Sequence, residues 1–119
     1  MKRYCMVNVI KPEYVEDYSN AHMNPWPELL ESIKDAGTEQ ELIYIYKNLA
    51  ILFIECEDID RYMKDFVGSE VSKKWMTQMY MYMGDNYWAD EEGESKESIN
   101  GLRKVFDLKQ MLEGKFDQF

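Results

Sequence analysis

The single histidine of this sequence, His22, follows Tyr18 by four residues. Residues four apart lie on the same face of a helix, so the spacing predicts that both side chains point into one pocket. An imidazole with an ordinary pKa of about 6.5 gives and takes protons at neutral pH, and a neighbouring phenol can position or polarise a hydroxyl group. The pair therefore predicts proton transfer to a ligand. The alternatives are a structural or exposed histidine and a tyrosine of the core.

Two prolines bracket a tryptophan directly after this pair, in the order Pro25, Trp26, Pro27. Proline is tolerated in the first turn of a helix but not in its interior, and Asn24 is a good capping residue. We therefore expect one helix to end near His22 and another to begin near Asn24. The same segment also suits a rigid corner whose tryptophan fills the core.

Trp75, Met76 and Met79 form a second group of residues that could contact a ligand. Flat apolar rings can stack on the C–H faces of a pyranose, so this group predicts a wall of a sugar site. Core packing explains the same spacing, and both interpretations stay open at this point.

The sequence argues against several other kinds of site. One histidine and two separated cysteines, Cys5 and Cys56, do not give the spacing of a zinc site. Neither a Gly-x-Ser-x-Gly motif nor a glycine-rich phosphate loop is present. We expect no metal and no cofactor, and we interpret both cysteines as small buried hydrophobic residues.

Length and charge restrict the class of protein further. The 119 residues are 45% hydrophobic and predict a single domain, 1–119. The net charge of -9 disfavours nucleic acid and anionic membrane surfaces as partners. No apolar run approaches the roughly 20 residues that span a bilayer, and the start of the chain is strand-like and unlike a signal peptide. We expect a cytoplasmic protein.

Alternating and helical patterns predict the order of the elements. Strands are expected at residues 4–10, 41–46, 50–57 and 105–108, with residues 47–49 joining the two central strands as a hairpin. Within the hairpin, Glu41 lies on the face opposite to Leu42 and Tyr44. A helical segment precedes the hairpin and ends at Gly37, and helices beginning at Asp58 and after Ser69 follow it.

This order is that of an α+β fold with the ferredoxin-like split βαββαβ arrangement. Its helices cover one face of the sheet, so the other apolar face needs a cover. We predict a homodimer with twofold symmetry, with the site between the open sheet face and the elements flanking it. The core spans about 1–108, an acidic mobile loop is expected at about 84–101, and 109–119 form a tail.

Short segments across most of the chain also resemble one family. They are Glu16-Asp17-Tyr18 with His22, Asn24-Pro25-Trp26-Pro27-Glu28-Leu29, Gly37, Leu52-Phe53, Arg61-Tyr62, Lys74-Trp75 and Val105-Phe106-Asp107-Leu108. In these segments the chain resembles the L-rhamnose mutarotases, which are small dimeric sugar epimerases of the dimeric α+β barrel type.

The resemblance implies an isomerase that interconverts the α and β anomers of a monosaccharide, a deoxyhexose such as L-rhamnose or L-fucose, without a cofactor. His22 falls on the family's proton-donor position and Tyr18 on a sugar-binding position. Glu41 stands where the family usually has a tyrosine, and Trp75 with Met76 stands where it has two tryptophans. The implied site is therefore catalytic His22 with substrate-binding Tyr18, Glu41, Trp75 and Met76.

Anomer exchange needs an acid for the ring oxygen and a base for the anomeric hydroxyl. We assign His22 to the ring oxygen, and Glu41, Tyr18 or water to the other proton. Two alternative functions stay open: a sugar- or metabolite-binding dimer without catalysis, and a monooxygenase on a related dimeric α+β barrel.

Overall fold

The computed structural model of the chain describes residues 2–84, 87, 89–92 and 102–115. Strand β1 (Lys2–Val9) leads through a 3-10 turn (Pro12–Tyr14) into helices α1 (Val15–Met23) and α2 (Pro27–Asp35). The hairpin of β2 (Thr38–Tyr46) and β3 (Leu49–Cys56) follows. Helix α3 (Ile59–Arg61) continues into a π-helix (Tyr62–Val67), and α4 (Glu70–Tyr80) and α5 (Leu108–Leu112) come last.

The three strands form one antiparallel sheet in the order β1-β3-β2. A two-residue turn joins β2 to β3, and not the three residues predicted, because Leu49 already pairs with Tyr46. Lys47 in this turn has a φ of 55°. Asn48 accepts a hydrogen bond from the Ile10 N–H at 2.8 Å and donates its side-chain amide to the Ile10 carbonyl at 3.0 Å. The hairpin is thus tied to the end of β1.

The predicted alternation along the hairpin is confirmed. Ala50, Leu52, Ile54 and Cys56 are buried on the face covered by the helices, and Phe53 is exposed on the other face. Cys56 lies in the core, Cys5 is half-buried, and both are free thiols, as their apolar surroundings predict.

The ends of the helices follow from the capping residues that the sequence displays. The Asp58 side chain accepts hydrogen bonds from the Asp60 and Arg61 N–H groups, and the Ser69 side chain accepts one from Ser72. Gly37, with a φ of +86°, follows the last turn of α2, where a residue with a side chain would be strained. These three boundaries agree with the prediction.

The prediction of a last strand at residues 105–108 is wrong. The Asp107 side chain accepts a hydrogen bond from the Gln110 N–H and caps α5, so a helix begins at Leu108. Residues 102–107 have no regular secondary structure, and Val105 and Phe106 are 67% and 63% exposed. The apolar run was read as a strand, but a capping aspartate within it favours a helix.

Other backbone lies along the free edge of β1. The Gly84 N–H donates to the Val9 carbonyl at 2.7 Å, and the Leu102 N–H donates to the Cys5 carbonyl at 2.8 Å. Met83 forms an isolated antiparallel bridge with Ile10. The segments after α4 therefore satisfy part of this edge without forming a strand in the described residues.

Two predictions lie partly outside the described residues. They are the acidic mobile loop at 84–101, of which 85–86, 88 and 93–101 are not described, and the end of the tail at 116–119. Among the described residues, no helix has the length and apolar character needed to cross a membrane.

Candidate active site

The five residues predicted for the site line one cavity of about 630 Å³. Tyr18 and His22 reach it from α1, Glu41 from β2, and Trp75 and Met76 from α4. The cavity lies on the face of the sheet that carries the helices, since Ile43 and Leu52 of that face also line it. The five residues therefore meet on the covered face of the sheet and not at the open face, where we expected the site.

Helix α1 brings Tyr18 and His22 together, as the four-residue spacing predicts. Their ring centroids are 4.2 Å apart at an interplanar angle of 35°, and Tyr18 is buried. Burial, and after it the charges of Tyr87 and Glu41, raises the pKa of the Tyr18 phenol. Tyr18 therefore keeps its proton at neutral pH.

The helix break after His22 also exists, but Asn24 does not cap the second helix. Asn24 stands at the end of α1, where its side chain donates to the Asn20 carbonyl at 3.0 Å. Pro27 is the first residue of α2, and Trp26 takes the N-cap position without a side-chain hydrogen bond. The side-chain amide of Asn24 thus serves the end of α1 instead of the start of α2.

One ring nitrogen of His22 is committed to the helix backbone. Nδ1 lies 2.9 Å from the Tyr18 carbonyl oxygen, which can only accept a hydrogen bond, so Nδ1 carries a proton. Nε2 is then the nitrogen that can exchange a proton with a ligand. Burial lowers the pKa of His22, and the bond to the Tyr18 carbonyl opposes this shift.

We expect the pKa of the His22 imidazole to lie below its value in the unfolded chain, and the neutral ring to carry its proton on Nδ1. The chain has one histidine, so the ring ¹⁵N and ¹³C–H signals in an NMR titration need no assignment by mutagenesis. The same chain unfolded in urea, titrated by the same NMR method, supplies the reference pKa of His22. A native pKa at or above that reference, or a neutral ring protonated on Nε2, would contradict the structure.

Trp75 serves both the core and the wall of the cavity. It is 7% exposed, and its ring meets the edges of His22 and of Trp26, each with centroids 5.2 Å apart. Met76 beside it is 1% exposed. Trp75 thus belongs to the core and also lines the cavity, and Trp26 packs against it as the rigid corner that the prolines predict.

Glu41 has a partner that sequence reasoning missed. The Tyr62 hydroxyl donates a hydrogen bond of 2.6 Å to Glu41 Oε1, and Tyr62 is fully buried. Burial raises the pKa of the Glu41 carboxyl, and the bond from Tyr62 acts in the opposite direction. No cation among the described residues lies within ion-pair distance of Glu41. The cavity therefore holds a desolvated carboxyl group.

Two further polar residues line the cavity and were not assigned to it from the sequence. Asn8 is 2% exposed, and Tyr87 is 5% exposed. The signal for Asn8 was visible, because an amide interrupts an otherwise apolar strand. Tyr87 carried no comparable signal. In the described part of the chain, no three acidic, histidine or cysteine side chains gather as metal ligands would.

The fold places the chain among α+β proteins of the dimeric α+β barrel type. A crystal structure of L-rhamnose mutarotase from Formosa agariphila superposes with a TM-score of 0.71 at 22% identity, covering 91% of this chain and 99% of that one. The tetracenomycin F2 cyclase of Streptomyces glaucescens, a type-II polyketide cyclase, superposes with a TM-score of 0.55 at 16% identity, covering 82% and 93%. The predicted fold class is confirmed.

Sequence comparison gives the family. The L-rhamnose mutarotase family model matches residues 3–108. L-rhamnose mutarotase of Clostridium beijerinckii is 33% identical over 96 residues, which cover 79% of this chain and 86% of that protein. That of Klebsiella pneumoniae is 32% identical over 88 residues, covering 72% and 84%. The chain belongs to the L-rhamnose mutarotase family, a family of isomerases.

Proposed function

We propose that this protein interconverts the α and β anomers of L-rhamnose or a closely related deoxyhexose. The observation that carries the proposal is one cavity that holds a histidine, a desolvated carboxyl group and a tryptophan wall. Among the described residues, Nε2 of this histidine has no hydrogen-bond partner. The volume of about 630 Å³ exceeds that of a single hexose and leaves room for ordered water. Membership of the family supports the reaction and the sugar class.

In this proposal, His22 acts at the ring oxygen through Nε2. When the ring opens, the anomeric hydroxyl loses a proton, C1 and the hydroxyl oxygen form a carbonyl group, and the ring oxygen gains a proton as its bond to C1 breaks. Rotation about C1–C2 presents the other face of the aldehyde, and the reverse transfers close the ring. Tyr18 donates a hydrogen bond, and Trp75 with Met76 supplies the apolar wall.

The test is the exchange between the two anomeric proton signals of L-rhamnose, followed by saturation-transfer NMR. We expect the protein to accelerate this exchange, with L-fucose and other aldoses measured beside it to rank the sugars. Sugar binding without faster exchange of any aldose would instead select a non-catalytic sugar-binding protein. The proposal fails if no aldose exchanges faster.

We further propose that the protein is a homodimer that covers the open sheet face. Leu42, Tyr44 and Phe53 on this face are 41%, 57% and 43% exposed, and the last two rings pack edge to face with centroids 5.8 Å apart. A contiguous apolar sheet face of this kind is typical of a surface that a partner covers. The predicted placement of the site against this open face is not required, because the cavity lies on the other side of the sheet.

We expect light scattering to give twice the chain mass of 14.3 kDa, and Phe53→Glu to give the mass of one chain. A buried carboxylate without a partner costs several kcal/mol, enough to dissociate an interface of ordinary affinity. Tyr80→Glu is the matched control, because Tyr80 is 39% exposed on α4. A wild-type monomer at micromolar concentration, or an undisturbed Phe53→Glu dimer, would contradict the assignment.

We propose a cytoplasmic location for the protein. Cys5 and Cys56 are free thiols in the fold, which is typical of proteins in a reducing compartment.

A further inference from the structure

We propose that Glu41, held in place by Tyr62, is the second proton-transfer group of the site and shares one proton with His22. The inference rests on the mutarotase function proposed above. It assigns to Glu41 the removal of the proton from the anomeric hydroxyl, which the sequence left to Glu41, Tyr18 or water.

The hydrogen bonding of Glu41 leaves half of its carboxyl group for a ligand. Oε1 accepts the bond from the Tyr62 hydroxyl, and Oε2 has no protein partner among the described residues. Tyr62 has no exposed surface, so the group that fixes Oε1 is itself immobile. A purely structural carboxylate would be paired with a cation or saturated with donors. This one instead lines a cavity that can hold a sugar hydroxyl.

Tyr18 links the two proposed proton-transfer groups. Its ring stacks on His22 at 4.2 Å, and the charge of Glu41 contributes to the raised pKa of its hydroxyl. Glu41 and His22 therefore both lie near Tyr18 and line the same cavity. Tyr18 itself is a poor base, because its buried phenol resists ionisation.

The remaining titratable groups around this space do not compete for the proton. Those that line the cavity or pack behind Glu41 are Tyr62, Tyr87, Lys34, Glu39 and, next to Tyr62, Cys56. Lys34 and Glu39 are exposed, and burial raises the pKa of the Tyr62 and Cys56 side chains, so these two stay protonated at neutral pH. Glu41 and His22 are left as the exchanging pair.

Ring opening and ring closure conserve protons if Glu41 and His22 together carry one exchangeable proton. In ring opening, Nε2–H of protonated His22 passes to the ring oxygen while ionised Glu41 takes the proton of the anomeric hydroxyl. The enzyme then holds neutral His22 and protonated Glu41 over the open aldehyde. In ring closure, Glu41 returns its proton to the carbonyl oxygen and His22 removes the proton of the former ring oxygen, which restores the starting state.

Desolvation of His22 and Glu41 favours the protonation state that the cycle needs over the open aldehyde. It lowers the pKa of His22 and raises that of Glu41, so it favours the state in which both groups are neutral. That is the state of the enzyme over the open aldehyde. The two protonation states of the pair are thus brought closer in free energy than the ordinary pKa values of histidine and glutamate would place them.

The first experiment compares anomer exchange by wild type and Glu41→Gln. The amide keeps the acceptor for Tyr62 but cannot take a proton, so we expect the rate to fall by about 100-fold or more, with a smaller change in KM. The wild-type pH profile should be bell-shaped, because loss of the shared proton and gain of a second one both stop the cycle. Glu41→Gln should keep one limb only. Glu57→Gln, which changes an exposed carboxylate directly after β3, is the matched control.

The second experiment uses Tyr62→Phe to move the pKa of Glu41 without touching the carboxyl group. The hydrogen bond from Tyr62 lowers that pKa, so its loss raises it and should shift to higher pH the limb of the profile that Glu41→Gln removes. A role for Tyr62 in packing alone would change the rate or the stability and leave the position of the limb unchanged.

Two outcomes separate this inference from the proposed function. If wild type accelerates exchange and Glu41→Gln stays within threefold of it with both limbs intact, the inference is overturned and the function stands. If wild type accelerates no exchange, the proposed function fails, and the His22 NMR titration still decides the pairing. Removal of the Glu41 charge should lower the pKa of His22, and an unmoved titration overturns the shared proton.

Discussion

His22→Ala lowers the rate of anomer exchange by about 10²- to 10⁴-fold, the range that a positioned acid or base contributes. The structure gives the reason, because Nδ1 is held by the Tyr18 carbonyl at 2.9 Å and aims one defined nitrogen at the cavity. No second imidazole exists in the chain to take its place. The measurement is saturation transfer between the anomeric protons of L-rhamnose.

The controls for this variant separate chemistry from folding. His22→Gln keeps a polar side chain of similar length and should lose the same activity, since an amide does not exchange protons at neutral pH. Asn20→Ala changes an exposed residue of the same helix and should retain wild-type exchange. Unaltered exchange in both His22 variants would remove the histidine from the reaction.

Trp75→Ala should cost about 3–5 kcal/mol of the free energy of unfolding, the range for truncating a buried tryptophan. The ring is 7% exposed and packs against His22 and Trp26, so its removal leaves a void beside the cavity. Natural domains have about 5–15 kcal/mol in total, and the variant is therefore expected near the limit of folding. Urea unfolding followed by circular dichroism measures the change.

Trp75→Phe is the companion variant that tests the wall of the site. Phenylalanine keeps much of the packing, so we expect a smaller loss of stability together with weaker binding of the sugar. Tyr80→Ala, on the exposed side of the same helix, should change stability by less than about 1 kcal/mol. A Trp75→Ala protein as stable as that control would show that the ring is not part of the core.

Local patterns were enough to predict much of the fold and part of the site. The four-residue spacing of Tyr18 and His22 and the alternation around Glu41 are properties of single elements, so the sequence displays them directly. The caps at Asp58 and Ser69 are equally local. These features required no knowledge of which elements meet.

The errors concern contacts between distant residues or competing local signals. The bond between Tyr62 and Glu41 joins a π-helix to a strand 21 residues away, and no periodicity reports it. The side of the sheet on which the cavity lies depends on how α1 and α4 pack. At residues 105–108, an apolar run and a helix cap made opposite predictions, and the cap was the stronger one.

The hydrogen bond from His22 Nδ1 to the Tyr18 carbonyl has an evolutionary consequence. Its acceptor is a main-chain atom of the same helix, so no substitution elsewhere can remove it while α1 stays helical. Glu41, in contrast, is held by a side chain, and either partner can change by one mutation. Within this scaffold, we therefore expect the orientation of the His22 imidazole to change little between related proteins. The residues around Glu41 can be substituted more readily, and we expect changes of sugar specificity to arise there first.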